Sequence, residues 1–170
     1  ALVTDLLCAC VQTAGRPLAP EQAWAWTAAD RLQGLLAIAT RSLGAELSAL
    51  ATCSAPDCGE RFELGLALAT FASEPPTALA WQSPGGECLR LALPTGELQR
   101  SWRDAEDGDE RWLARRLVLA VDGEAPDADW RLPEGWLAGM ATALAEADPL
   151  TALALPVPCP CCGRAVDVVG

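Results

Sequence analysis

Hydrophobic residues along this chain recur first at helical spacing, then in alternation, then at helical spacing, and finally in alternation again. The changes of period predict an α+β fold, with helices packed beside two β-hairpins. Val3, Leu6, Leu7, Cys10 and Ala14 make one apolar stripe, which predicts a helix over residues 1–14 stopped by Gly15, with Cys10 on the buried face and Cys8 off it. Arg16 to Trp26, punctuated by Pro17 and Pro20, reads as a connection. Thr27 then offers a hydroxyl cap, with Asp30 three residues on, to a helix that buries Leu32, Leu35, Leu36, Ala39 and Leu43. Gly44 suits the left-handed position past its end.

After Gly44 the period becomes two. Leu47, Ala49 and Ala51 lead into Cys53, and Phe62, Leu64, Leu66 and Leu68 lead away from Cys58-Gly59, which predicts a hairpin with a cysteine pair at its tip. Residues 72–86 carry a loop signature around a short extended piece at Trp81, and a strand is expected over Glu87 to Leu91, with Cys88 in the core. Pro94-Thr95 opens a helix through Trp102, and a solvated acidic stretch, Asp104 to Glu110, follows. Helices are predicted over 110–121, with Trp112, Leu113, Leu117 and Val121 on its apolar side, and from Pro133 to Asp148, with Trp136, Leu137, Met140, Leu144 and Ala147. Leu153, Leu155 and Val157 alternate into Cys159, and Arg164 to Val169 alternates out of it, so the second half repeats the hairpin with cysteines.

Composition narrows the chemistry. The 170 residues suit one domain, 1–170, in which 45–70 and 150–169 form the hairpin unit and 94–149 a mainly helical insertion. No apolar run reaches the roughly 18 residues of a membrane span, and no signal-peptide pattern is seen, so a reducing cytoplasm is expected. Acidic residues number 23 and basic residues 12, all of them Arg, for a net charge of -11, which disfavours a nucleic-acid partner. The chain has no His and no Tyr, which removes Ser-His-Asp and Cys-His catalysis and leaves carboxylates and thiolates.

The eight cysteines then carry the candidate chemistry. Cys159-x2-Cys162 with Pro160 and Gly163 has the form of a zinc knuckle, and Cys53-x4-Cys58 with Gly59 lies within the usual ligand spacing. Two hairpin tips offering two thiolates each would satisfy tetrahedral Zn²⁺, and closing the loop of about 100 residues between them costs only logarithmically more than closing a short one. Cys53, Cys58, Cys159 and Cys162 are therefore the candidate ligands of a structural Zn²⁺, and Cys161 is the surplus thiol. Three other readings stand beside this one: disulfides between the knuckles, a thiol-disulfide redox protein using Cys159 and Cys162, and the same knuckle geometry without metal.

The order of these features resembles a known family. Ala28 to Gly44, then Cys53…Cys58-Gly-Glu-Arg-Phe-Glu-Leu64, is similar to the helix, glycine and first knuckle of the baseplate hub assembly chaperones of T4-like phages and related contractile injection systems. Leu89-Arg-Leu-Ala-Leu-Pro-Thr-Gly96 resembles that family's strand-to-helix segment, and Leu137 to Leu155 followed by Cys-Pro-Cys-Cys-Gly163 resembles its closing segment. The resemblance implies a non-enzymatic assembly chaperone or structural adaptor in the bacterial cytoplasm, bound to baseplate hub or spike proteins or built into a phage-tail-like particle. Trp24, Trp26, Trp81 and Trp130 fall in predicted loops, where tryptophans are more often tucked under the loop than exposed, and they are the first residues to test as interface anchors.

Overall fold

In the computed structural model, which describes residues 2–71, 76–105, 108–148 and 154–169, helices and antiparallel strands succeed one another in the α+β manner that the changes of period predict. Helix α1 (Leu2–Cys10) is followed by a small hairpin of β1 (Gln12–Thr13) and β2 (Arg16–Pro17). Its turn holds Ala14 at φ 52° and Gly15 at φ 76°, so the helix predicted over 1–14 ends at Cys10. Its buried side is also turned. Leu7 packs against Leu18 and Ala23 and Thr4 accepts a bond from Arg31, which leaves Val3, Leu6 and Cys10 outward and Cys8 half-buried.

The expected connection from Arg16 to Trp26 contains a second helix, α2 (Pro20–Ala25), with Pro20 in its first turn and Gln22 bonded back to the N–H of Ala19. Helix α3 (Ala28–Leu43) begins where Thr27 predicts: the Thr27 hydroxyl accepts from the N–H of Asp30, and Asp30 accepts from the N–H of Thr27, both at 3.1 Å. Leu35 and Ile38 of α3 pack on α1 and α2, whereas Leu43, expected inside, is exposed in the last turn. Gly44 has φ 103° as anticipated, but its ψ of -176° sends the chain straight into a strand.

Strands β3 (Glu46–Thr52) and β4 (Arg61–Ala67) form the predicted hairpin. Leu47 pairs with Leu66, Ala49 with Leu64 and Ala51 with Phe62, so the apolar set lies on one face. A 3-10 helix (Leu68–Phe71) returns the chain to α3, where Gln33 donates to the Phe71 carbonyl at 2.7 Å.

A three-stranded sheet that the sequence shows only in part holds the largest core. Strand β5 (Ala78–Gln82), read from sequence as a short extended piece, pairs along its whole length with β6 (Cys88–Ala92), and β7 (Val118–Val121) takes the other edge of β6. Leu89 and Leu91 of β6 point into this core, which by alternation turns Cys88 and Arg90 out, so Cys88 is exposed and not core. Helix α4 (Gly96–Asp104) is capped by Thr95, as predicted, and α5 (Glu110–Leu117) by Asp109. The helix expected over 110–121 thus ends at Leu117 and its last four residues become β7. Helix α6 (Trp136–Ala147) starts after a left-handed Gly135 and ends at Asp148, burying Trp136 and Met140. The final strands, β8 (Ala154–Pro158) and β9 (Ala165–Val169), form the second predicted hairpin; the expectations for Thr151 to Leu153 lie outside the described residues.

Trp81 and Trp130 both pack on Trp136, with ring centroids 5.7 and 6.4 Å away, and Trp26 joins the core of α1, α2 and α3. Three of the four loop tryptophans, Trp26, Trp81 and Trp130, are therefore tucked in as packing residues. Gly139 in α6 faces Trp81 so closely that an added Cβ would lie 2.8 Å from its ring. Ala is a better helix former than Gly by about 1 kcal/mol, yet this site has no room for it. Gly139→Ala should lower unfolding free energy by about 1–3 kcal/mol in chemical denaturation, as overpacking does; a gain in stability would contradict this packing.

Candidate metal centre

The two cysteine-tipped hairpins come together with β3 beside β9. Their junction is a small cluster in which Cys53, Cys159 and Val166 are buried and Ala55, Cys58 and Phe62 pack around them. The structure brings all four sequence-predicted thiols together: the Sγ atoms of Cys53, Cys58, Cys159 and Cys162 lie within 4.8 Å of one another. Cys53 Sγ is 3.7 Å from Cys162 Sγ, and Cys58 Sγ is 3.7 Å from Cys159 Sγ. A tetrahedral site with metal–sulfur bonds of about 2.3 Å has sulfur–sulfur edges of about 3.8 Å. The two cross-hairpin distances match that edge, so these four cysteines are placed to hold one metal ion.

Local backbone geometry explains the convergence. In the first tip the N–H of Cys53 bonds the Glu60 carbonyl at 2.8 Å, the N–H of Cys58 bonds the Ala55 carbonyl at 3.0 Å, and Gly59 takes φ 62°. In the second the N–H of Cys159 bonds the Arg164 carbonyl and the N–H of Gly163 bonds the Cys159 carbonyl, both at 2.8 Å, with Gly163 at φ 70°. Both glycines occupy the left-handed region that a side chain would strain. The x4 and x2 spacings thus close similar turns.

Backbone N–H groups also point at the sulfurs. The N–H of Cys162 and that of Cys161 bond Cys159 Sγ, and with help from Cys58 and Cys162 they hold its thiol down at about 7 against the opposing effect of burial. The N–H of Glu60 favours a thiolate on Cys58, but burial and the hydrogen bonds of Cys159, Cys162 and Cys53 outweigh it, and this thiol is pushed up to about 12. On Cys53 the N–H of Ala55 is likewise outweighed by burial and by Cys162 and Cys159, leaving its thiol raised. Four adjacent sulfurs without a cation resist carrying more than one negative charge, and a bound cation removes that resistance.

Ala55 and Glu60, which supply two of these N–H groups, escaped the reading of the sequence; their signal is position, two residues after each cysteine of the first pair. Cys161 is exposed and stands outside the cluster, in keeping with its treatment as surplus. Cys162 is exposed too, so one ligand position faces solvent. Among the described residues no helix is long and apolar enough to cross a membrane. No family model, curated protein or solved structure matches this chain.

In reduced, metal-free protein one thiolate should appear near pH 7, seen as a rise in ultraviolet thiolate absorbance, and Cys159→Ser should abolish that step. A first step at the ordinary thiol value of about 8.5, or one that survives the substitution, would contradict the assignment.

Proposed function

We propose that Cys53, Cys58, Cys159 and Cys162 bind one structural Zn²⁺ and make the two hairpins a split zinc-ribbon-like unit. The protein around it is a non-enzymatic assembly chaperone or adaptor of the baseplate hub of a phage-tail-like contractile injection system. The observation that carries the zinc reading is the closeness of four thiols drawn from positions 101 and 109 residues apart. An all-thiolate tetrahedral set favours Zn²⁺ or iron, and zinc serves where no electron transfer is required. The assembly role rests on the sequence resemblance carried, one after another, by Ala28 to Gly44, Cys53 to Leu64, Leu89 to Gly96 and Leu137 to Gly163. A sequence without His or Tyr, and with a charge of -11, favours recognition of other proteins over acid-base catalysis or DNA binding.

The lowered thiol of Cys159 is the one observation that favours the second reading, a thiol-disulfide protein using Cys159 and Cys162. Against it, the 3.7 Å sulfur pairs run across the hairpins, Cys159 to Cys58 and Cys162 to Cys53. Disulfide-reductase activity of metal-free protein that depends on Cys159 would establish it.

Protein purified without chelator should carry one zinc per chain, and stripping the metal should lower the thermal midpoint by about 5 °C or more. Cys53→Ser and Cys159→Ser should abolish zinc retention, whereas Cys161→Ser and Cys88→Ser should leave it intact. Zinc far below one equivalent with all eight thiols titratable would refute the site. Pull-down from finished particles and from assembly intermediates tests the assembly role: absence of any baseplate hub or spike protein from both would refute it.

A further inference from the structure

Away from the thiols, the N-termini of α3 and α4 are tied to each other. Thr27 and Thr95 form an isolated antiparallel bridge, the N–H of Ala28 bonds the Pro94 carbonyl at 2.8 Å, and the N–H of Gly96 bonds the Trp26 carbonyl at 3.0 Å. Two positive helix ends therefore lie side by side. Against them sits the guanidinium of Arg31, only 8% exposed, packed on Gly96 so tightly that an added Cβ there would fall 2.7 Å from its Nη1.

The bonding of Arg31 is incomplete for a buried charge. Nη1 donates to the Ala23 carbonyl at 2.6 Å and Nη2 to the Thr4 hydroxyl at 3.1 Å, both neutral acceptors, and the guanidinium carbon stands 4.9 Å from the centre of the Trp24 ring. Among the described residues no carboxylate pairs with it, in a chain where acidic residues outnumber arginines 23 to 12. Nearby Asp30 is committed to the Thr27 cap, with its Oδ2 2.7 Å from the Thr27 hydroxyl, and Glu97 in the first turn of α4 is exposed. Burial accordingly pushes the Arg31 ionisation down, and Cys8 only partly restores it. Burying a cation without a counter-ion is costly, and that cost falls when an anion arrives.

Arg31 lines a groove of about 460 Å³ that opens to solvent. Arg100, exposed, also reaches Trp24, at 4.6 Å from the ring centre, and leaves its charge available; Arg103 on the same rim is paired with Asp104 at 3.1 Å. The remaining wall carries the exposed amide of Gln99 and three exposed apolar side chains, Leu2 at 82%, Val3 and Trp102. A free phosphate would meet the arginines but leave these apolar side chains wet, and a nucleic acid would be repelled by the net charge of -11.

We propose that this groove binds a peptide segment of a partner protein in which an acidic side chain, flanked by aliphatic or aromatic residues, reaches Arg31 and Arg100. The carboxylate would take the forked donors of the two guanidiniums, and its neighbours would cover Leu2, Val3 and Trp102. Trp and Arg at the centre of such a contact are the residue types that carry most binding energy. The assignment does not depend on the zinc site or on a baseplate partner.

Arg31 also braces α1 and α2, so the test uses the exposed Arg100. The full zinc-loaded chain and its Arg100→Glu variant, checked for equal thermal midpoints, are each used to select from a displayed library of random ten-residue peptides. Sequences enriched on the parent chain should carry Asp or Glu beside Leu, Ile, Phe or Trp. A synthetic peptide of the enriched sequence should bind Arg100→Glu at least about tenfold more weakly, and should lose about as much affinity when its acid is replaced by the amide. Inorganic phosphate at equal charge should not displace it. Enrichment without an acidic residue, equal binding to Arg100→Glu, displacement by phosphate, or no enrichment at all would each overturn the proposal.

Discussion

A two-stranded hairpin buries too little surface to hold together in water, and the two that carry the cysteine pairs are formed by segments about a hundred residues apart. What joins them is a cluster scarcely larger than the cysteines themselves, with Val166, Phe62 and Ala55 as its apolar wall. Dispersion and hydrophobic contact over so few residues are weak opponents for the entropy of closing the intervening loop, and four thiols that crowd one another add repulsion as soon as a second one ionises. A divalent cation held by the four sulfurs would reverse the sign of that last contribution. Bound here it would turn mutual repulsion among thiolates into four bonds that draw both hairpin tips to one point, and the backbone N–H groups aimed at the sulfurs would support the charge that remains.

The other two cores do not need such help. Leu89, Leu91, Val118, Trp136 and Met140 fill the space between the three-stranded sheet and its helices, and Leu7, Leu18 and Ala23 fill the space among the first three helices. The thiol cluster is made by the two hairpins alone, and what it joins is one hairpin to the other. The groove around Trp24, Arg31 and Arg100 lies in the helical part, built on the tie between the two helix N-termini. The thiol cluster and the groove thus lie in different parts of the chain.

The long helix, both cysteine-tipped hairpins and the two cysteine pairs were legible in the sequence because each is specified locally, whereas the small hairpin of β1 and β2 was not. A capping pair marks Thr27 to Asp30, strict alternation marks the strands, and glycines follow each cysteine pair. The misses were set by tertiary context. Val118 to Val121 continues the apolar pattern of the preceding helix and becomes a strand because β6 offers it an open edge. Six residues of α2 are too few to show a period, although Pro20 marks its start. The first helix turned its stripe away from the core because Leu7 and the Thr4–Arg31 bond, not the number of apolar residues, decide its orientation. Cys88 went outward with the alternate face of β6 for the same kind of reason.

A zinc ion shared by the two hairpins would be surrounded by sulfur alone. X-ray absorption at the zinc edge of the loaded protein measures this directly: four sulfur neighbours at about 2.3 Å, and no nitrogen or oxygen in the first shell, are the predicted result. A shell containing oxygen or nitrogen in place of sulfur, or only two sulfurs, would contradict the claim that the two hairpins share one site.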